Sequence, residues 1–142
     1  MKRRIFLKGS LATTTLMVAA SAGMLTPTRV LASAWPKAAF ESKTEAEALQ
    51  AFFGTSDVTQ SDQVSIKAPL QAENGAVVPI KVMTSLENVE GIAICAIKNP
   101  RPYTTSLRVS GGGGGLYSTR IKMGQTSPVN CYVKAGGKLY MA

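Results

Sequence analysis

The chain of 142 residues contains no histidine, two cysteines, one tryptophan and eight acidic residues. Each scarcity removes a class of chemistry. Without histidine there is no Ser-His-Asp triad, no imidazole metal ligand and no general base of the commonest kind. Cys95 and Cys131 alone cannot close a structural zinc site, which takes four ligands. The acids are scattered. Glu45 and Glu47 fall on different faces of a helix, and Glu87 and Glu90 flank a turn. Nothing suggests a matched carboxylate pair for acid-base work. The run Gly111 to Gly115 lacks a Lys-Ser/Thr ending and opens no helix, so it is not a phosphate loop. No metal and no cofactor is expected, and the chain does not read as an enzyme.

What is abundant is positive charge, with sixteen basic residues and a net charge of +8. Much of the excess lies in the first 34 residues. Lys2, Arg3 and Arg4 form a positive start, and Arg3-Arg4-Ile5-Phe6-Leu7-Lys8 fits the twin-arginine pattern RR-x-F-L-K. A mildly apolar, Thr- and Ala-rich stretch follows from Leu11 to Met24. Ala32-Ser33-Ala34 supplies small residues for cleavage between Ala34 and Trp35. The apolar run is short and interrupted for an uncleaved anchor, so membrane contact is expected only during export. The expected compartment is the periplasm. Residues 35–142 then hold eleven basic and eight acidic residues, a net +3. That modest excess removes the main support for nucleic-acid binding.

Residues 35–142 read as one domain built around Asn74 to Pro102. Asn74-Gly75 is a turn signal. Val77, Val78, Ile80, Val82 and Met83 form one apolar run, and Ile92 to Ile97 a second that is apolar on both faces. A strand apolar on both faces is central and covered. Ahead of this pair, Ser42-Lys43-Thr44-Glu45 fits a capping box for a helix ending at Phe53, with Gly54 as its stop. Ala46, Leu49, Phe52 and Phe53 would pack on the sheet. Val64, Ile66 and Ala68 alternate with polar residues. So do Tyr103 to Val109, Leu116 to Met123 and Val129 to Lys134, and Lys138 to Met141 starts a further strand. Gly111 to Gly115 is read as a hairpin loop. Seven short strands and one short N-terminal helix predict an all-β, immunoglobulin-like antiparallel sandwich.

Three features have chemistry to weigh. Cys131 falls on the apolar face of its strand, so a buried thiol is expected. A Cys95–Cys131 disulfide crossing two layers is a second arrangement, and a reactive Cys131 a third. Arg101, Arg108, Arg120 and Lys122 could hold an anion on a strand face, or be a solvated face. The five glycines are a flexible loop or a place of close approach by a partner.

Four segments occur in order and at suitable spacing: Glu73 to Ile80, then Asn99-Pro100-x-Pro102, then Ser118 to Met123, then Gly137 to Tyr140. With the twin-arginine signal they make the chain resemble SoxY, the sulfur-carrier family of thiosulfate oxidation. The resemblance spans essentially all of residues 35–142. It implies a non-catalytic carrier subunit that pairs with a SoxZ-like subunit and meets the other enzymes of thiosulfate oxidation. It also implies that sulfur is borne by a cysteine in a C-terminal Gly-Gly-Cys-Gly-Gly arm. No residue up to Ala142 matches that cysteine, so a form lacking the sulfur-bearing arm is expected. The second reading is a partner-binding module without sulfur chemistry. The third is an anion-binding domain using Arg108, Arg120 and Lys122. Thiol titration of the exported protein separates the states of the cysteines. Buried thiols react only on unfolding, a disulfide only after reduction, and an accessible Cys131 at once.

Overall fold

The computed structural model of the protein describes residues 35–113 and 115–142. The signal residues Arg3, Arg4, Phe6, Leu7 and Lys8, and Ala34 of the cleavage site, lie outside the described residues.

The described residues begin with two short helices rather than one. Helix α1 spans Lys37–Glu41 and buries Ala39. It has no side-chain cap and is held by packing. Trp35 stacks on Phe40 at 4.5 Å, and Phe40 meets Tyr103 edge-on at 4.7 Å. Helix α2 spans Glu45–Phe53 and starts two residues later than the Ser42 box predicts. Thr44 is the cap. Its hydroxyl accepts from the Glu47 amide at 3.3 Å, and the Glu47 carboxylate accepts from the Thr44 amide at 3.3 Å. Both registers satisfy the S/T-x-x-E rule, and packing decides between them. Ser42 instead closes α1, its hydroxyl donating to the Ala38 carbonyl at 2.7 Å. The buried side of α2 is Ala48, Leu49, Phe52 and Phe53, with Ala46 exposed. Gly54 ends the helix at φ 77°, as its type allows.

Eight strands follow: β1 Val58–Gln60, β2 Val64–Lys67, β3 Val78–Thr84, β4 Val89–Ala96, β5 Tyr103–Arg108, β6 Leu116–Ile121, β7 Val129–Ala135 and β8 Lys138–Met141. They form a five-stranded sheet in the order β1-β8-β7-β4-β5 and a three-stranded sheet in the order β2-β3-β6. The predicted two-layer sandwich is present. The strand absent from the sequence reading is β1, three residues long, which runs parallel to β8. The Gly111–Gly115 segment joins β5 of one sheet to β6 of the other, so it is a crossover and not a hairpin.

The five-stranded sheet is covered on both faces. On one, Ile92, Ile94, Cys131 and Val133 meet Val78, Ile80, Val82 and Ile121 of the other sheet. On the opposite face, Ala93, Cys95, Tyr132 and Leu139 lie under Ala39, Leu49, Phe52 and Phe53 of the helices. Two register shifts adjust these faces. One lies between Val89 and Gly91 against β7. The other pairs Ile94 with Thr105 and Cys95 with Tyr103, leaving Thr104 as the extra residue. The Thr104 hydroxyl donates to the Ile94 carbonyl at 2.7 Å. The shift turns Tyr103 toward the helices, while the Thr105 hydroxyl lies 3.3 Å from that of Tyr117 in the other sheet. Strict alternation over Tyr103 to Val109 therefore fails at its first residue.

The Asn74-Gly75 turn forms, but not for the reason of positive φ. The Asn74 carboxamide oxygen accepts from the Ala76 amide at 2.9 Å, an Asx-turn. Gly75 is required by proximity. A Cβ there would lie 2.9 Å from the Met123 carbonyl oxygen, and the Met123 amide donates to the Gly75 carbonyl at 2.7 Å.

Truncating Ile80, fully buried between the sheets, to alanine should cost about 2–5 kcal/mol. Thr44→Ala, which removes only the helix cap, should cost about 1 kcal/mol. Urea unfolding of both variants checks the ranking.

Candidate functional site

The two cysteines come first, because a thiol is the one nucleophile the sequence offers. Strands β4 and β7 pair antiparallel, with Ile94 opposite Cys131 and Cys95 opposite Asn130. Successive residues of a strand point to opposite faces. Cys131 therefore enters the core between the sheets and Cys95 the core beneath the helices. Both thiols are free and fully buried. The disulfide crossing two layers is not formed. Its two residues sit in one sheet, on neighbouring strands, with side chains on opposite faces.

Burial also silences these thiols. It pushes the Cys131 thiol up from its ordinary 9.0 to about 12, only partly opposed by the backbone hydrogen bond with Ala142. Burial raises the Cys95 thiol further, with a smaller contribution from the negative charge of Glu45. A thiolate is the attacking species, so neither cysteine is a nucleophile near neutral pH.

A polar knot fixes the helix layer to the sheet. The Tyr132 hydroxyl donates to the Glu45 carboxylate, and the Asn130 carboxamide donates to the same oxygen at 3.1 Å. Burial and this contact raise the Tyr132 phenol well above its usual range. At the other end of α2, the Arg108 guanidinium lies 4.7 Å from the Phe52 ring centre and donates to the Phe52 carbonyl at 3.2 Å. The Lys134 ammonium donates to the Phe53 carbonyl at 3.2 Å and pairs with Glu90 at 3.8 Å. Cations at a helix C-terminus complement its free carbonyls, so Arg108 and Lys134 serve the fold. The four candidate anion ligands do not converge. Arg108 faces the helices, Arg120 and Lys122 flank the opposite sheet, and Arg101 lies exposed in the turn before β5.

One cleft opens at the end of the sandwich where β3 and β7 begin. It has a volume of about 540 Å³ and is lined by Ile66, Leu70, Val78, Met123, Gln125 and Val129, among others. None of its lining residues is titratable, so it offers no acid or base. Among the described residues no group of three His, Cys, Asp or Glu could hold a metal ion. No helix among them is long and apolar enough to cross a membrane.

Residues 49–142 match the family described as "Sulfur oxidation protein SoxY". The chain belongs to the SoxY family. It is similar in structure to the sulfur carrier protein SoxY from Chlorobium limicola f thiosulfatophilum. The two are 37% identical, the match covers 75% of this chain and 92% of that one, and the TM-score is 0.63. No curated relative matches. The SoxY likeness agrees with the sandwich built above, and it was legible in the Glu73 to Ile80 and Gly137 to Tyr140 segments. What the sequence did not indicate was the placement of Cys95 and Cys131 on opposite faces, because that depends on the β4–β7 register.

The native protein should leave both thiols unmodified by a thiol reagent at pH 8, and both should react in denaturant. In the unfolded chain a thiol ionises near 9.0, whereas folded Cys131 does so near 12. The native state holds the protonated form. Its contribution is intact below pH 9 and is lost as pH rises toward 12, by up to about 1.4 kcal/mol per pH unit for each thiol. Urea midpoints between pH 8 and 11 should fall steeply, and less steeply in Cys131→Ala.

Proposed function

We propose that residues 35–142 are the scaffold of an exported, non-catalytic sulfur carrier of thiosulfate oxidation. The reading rests on the SoxY family match over residues 49–142. The carrier named in the similar Chlorobium structure adds support. Histidine is absent, the lining of the cleft is without titratable groups, and the two thiols are sealed. Each of these fits a subunit that presents a group to other enzymes rather than transforming it.

Sulfur bound covalently as a thiosulfonate or persulfide needs a thiolate to form the S–S bond. The Gly-Gly-Cys-Gly-Gly arm of the family suits that task, because flanking glycines leave a thin, flexible tether. Residues 1–142 contain no such motif. Cys95 and Cys131 cannot substitute for it, since reaching either means opening a core. The proposed role of these residues is to fold, to pair with a SoxZ-like subunit and to be recognised, with sulfur held elsewhere. The twin-arginine motif supports export of the folded domain to the periplasm, with its partner as passenger.

A second reading, a partner-binding module without sulfur chemistry, draws on the same buried thiols. Intact-mass analysis after incubation with thiosulfate and the cognate enzymes tests both. Any adduct should be absent from Cys95 and Cys131; one mapped to either would refute the scaffold reading. Replacing Arg3 and Arg4 together by lysine should abolish export, leaving uncleaved precursor in the cytoplasm with its SoxZ-like partner.

A further inference from the structure

The outer face of the three-stranded sheet is unlike the rest of the surface. It presents Ser65 and Lys67 from β2, Pro79, Lys81 and Met83 from β3, and Leu116, Ser118 and Arg120 from β6, with Lys122 just beyond. All are exposed. Four are cations and none is an acid. Lys67 lies directly opposite Lys81, and Arg120 opposite Pro79. The ion pairs among the described residues, Lys37–Glu41 and Lys134–Glu90, lie elsewhere. Glu41, Glu45 and Glu47 are on the helices, which cover the far side of the other sheet. The helical segment also carries Lys37 and Lys43, and Asp62, Glu73 and Glu87 lie in the turns that flank β2 and β3, so the single sign of charge belongs to this outer face and not to a whole layer.

The plain explanation is protection of sheet edges, where lysines discourage pairing with another chain. It accounts for Lys67 on edge strand β2 and for Arg120 and Lys122 at edge strand β6. It does not account for Lys81. That residue is on the central strand, and like charges directly opposite each other in a sheet are unfavourable. An anionic partner would relieve the Lys67–Lys81 repulsion.

The character of the face indicates what kind of partner. Cores of permanent interfaces are depleted in charge and rich in apolar area. Here the apolar contribution is small, Met83 paired with Leu116 at one end of the sheet. Three short strands about 4.8 Å apart give a patch smaller than the roughly 800 Å² that each stable partner buries. Dense, solvated charge instead speeds encounter and permits quick release.

We infer that this basic sheet face is the transient docking surface for an acidic protein surface, that of an enzyme acting on the carried sulfur. The permanent subunit binds elsewhere. The inference rests on the carrier reading and adds to it the face used. A carrier that visits several enzymes needs fast exchange, and a charged, weakly apolar face supplies it.

The test is surface plasmon resonance of the full exported protein, with its SoxZ-like subunit, over an immobilised cognate thiosulfate-oxidation enzyme. Lys81→Glu with Arg120→Glu should lower the association rate roughly tenfold at low salt. Lys81→Arg with Arg120→Lys should leave it unchanged. Raising salt from about 0.05 M to 0.5 M should slow the wild type and shrink the difference. The charge-reversed protein should melt no lower than the wild type, since reversal at Lys81 removes a like-charge pair. An unchanged association rate in the reversed variant overturns the inference while the carrier reading stands. So does loss of the SoxZ-like subunit on reversal, which would make the face a permanent interface. If the wild type binds none of the pathway enzymes, the carrier reading fails and the docking face with it.

Discussion

Everything in the domain depends on the pairing of β4 with β7 in a sheet buried on both faces. Each strand sends alternate residues to a different core, so one register decides two packings at once. On β4 the division is by size. Ile92 and Ile94 face the second sheet, while Gly91, Ala93 and Cys95 face the helices. The small residues make room for the bulk of Phe52, Phe53, Tyr103 and Tyr132. At Gly91 a Cβ would already lie 3.2 Å from the Phe53 ring and 3.3 Å from the Leu107 carbonyl oxygen. A slip of one residue would exchange the two sets and fit neither.

The cysteines follow from the same constraint. Cys95 and Cys131 are small, apolar fillers at positions where the register leaves no route to solvent. Their raised pKa values are the electrostatic form of that fact: charge is disfavoured where water is excluded. The scaffold and the chemistry of a sulfur carrier are thus separable. A thiol in the core stabilises as a hydrophobe, and a thiol that must enter the active sites of other proteins has to lie outside it. The polar knot of Tyr132, Asn130 and Glu45 belongs to the scaffold, joining the start of α2 to β7. The buried Tyr103 hydroxyl is the exception, with no hydrogen-bond partner among the described residues. Its ring is held by Phe40 and Phe52.

Much of this was legible in the residues. The period-two pattern of Leu116 to Met123 placed Thr119 and Ile121 inward and Ser118 and Arg120 outward, as found. The doubly apolar run at Ile92 marked the central strand. What failed did so where a local rule has two solutions or where distant residues decide. Ser42 and Thr44 each open a legitimate capping box, and only the sheet beneath Leu49 and Phe52 selects the second. Val58 to Gln60 carries no strand pattern of its own, because β1 exists through its pairing with β8. The flip at Tyr103 comes from one extra residue, Thr104, which no periodicity reveals. The candidate anion ligands looked like a group because spacing along a strand says nothing of which sheet it joins. Conversely, Lys67 and Lys81 are fourteen positions apart in sequence and come together only through the β2–β3 register.

That last juxtaposition shows how a scaffold can keep an unfavourable feature. A like-charge cross-strand pair costs on the order of 0.2–1 kcal/mol, and solvent and salt screen an exposed one further. A single large aliphatic residue such as Ile80 or Ile94 contributes several times as much from the other face of the same layers. The inner face carries the stability, so the outer face is free to carry charge. Because successive residues of β3 alternate between these faces, Ile80 and Val82 hold the fold from positions adjacent to Lys81. The strand that fills the core between the sheets thereby also displays Lys81 beside Lys67, and the buried Ile80 and Val82 on either side keep that charge in one place.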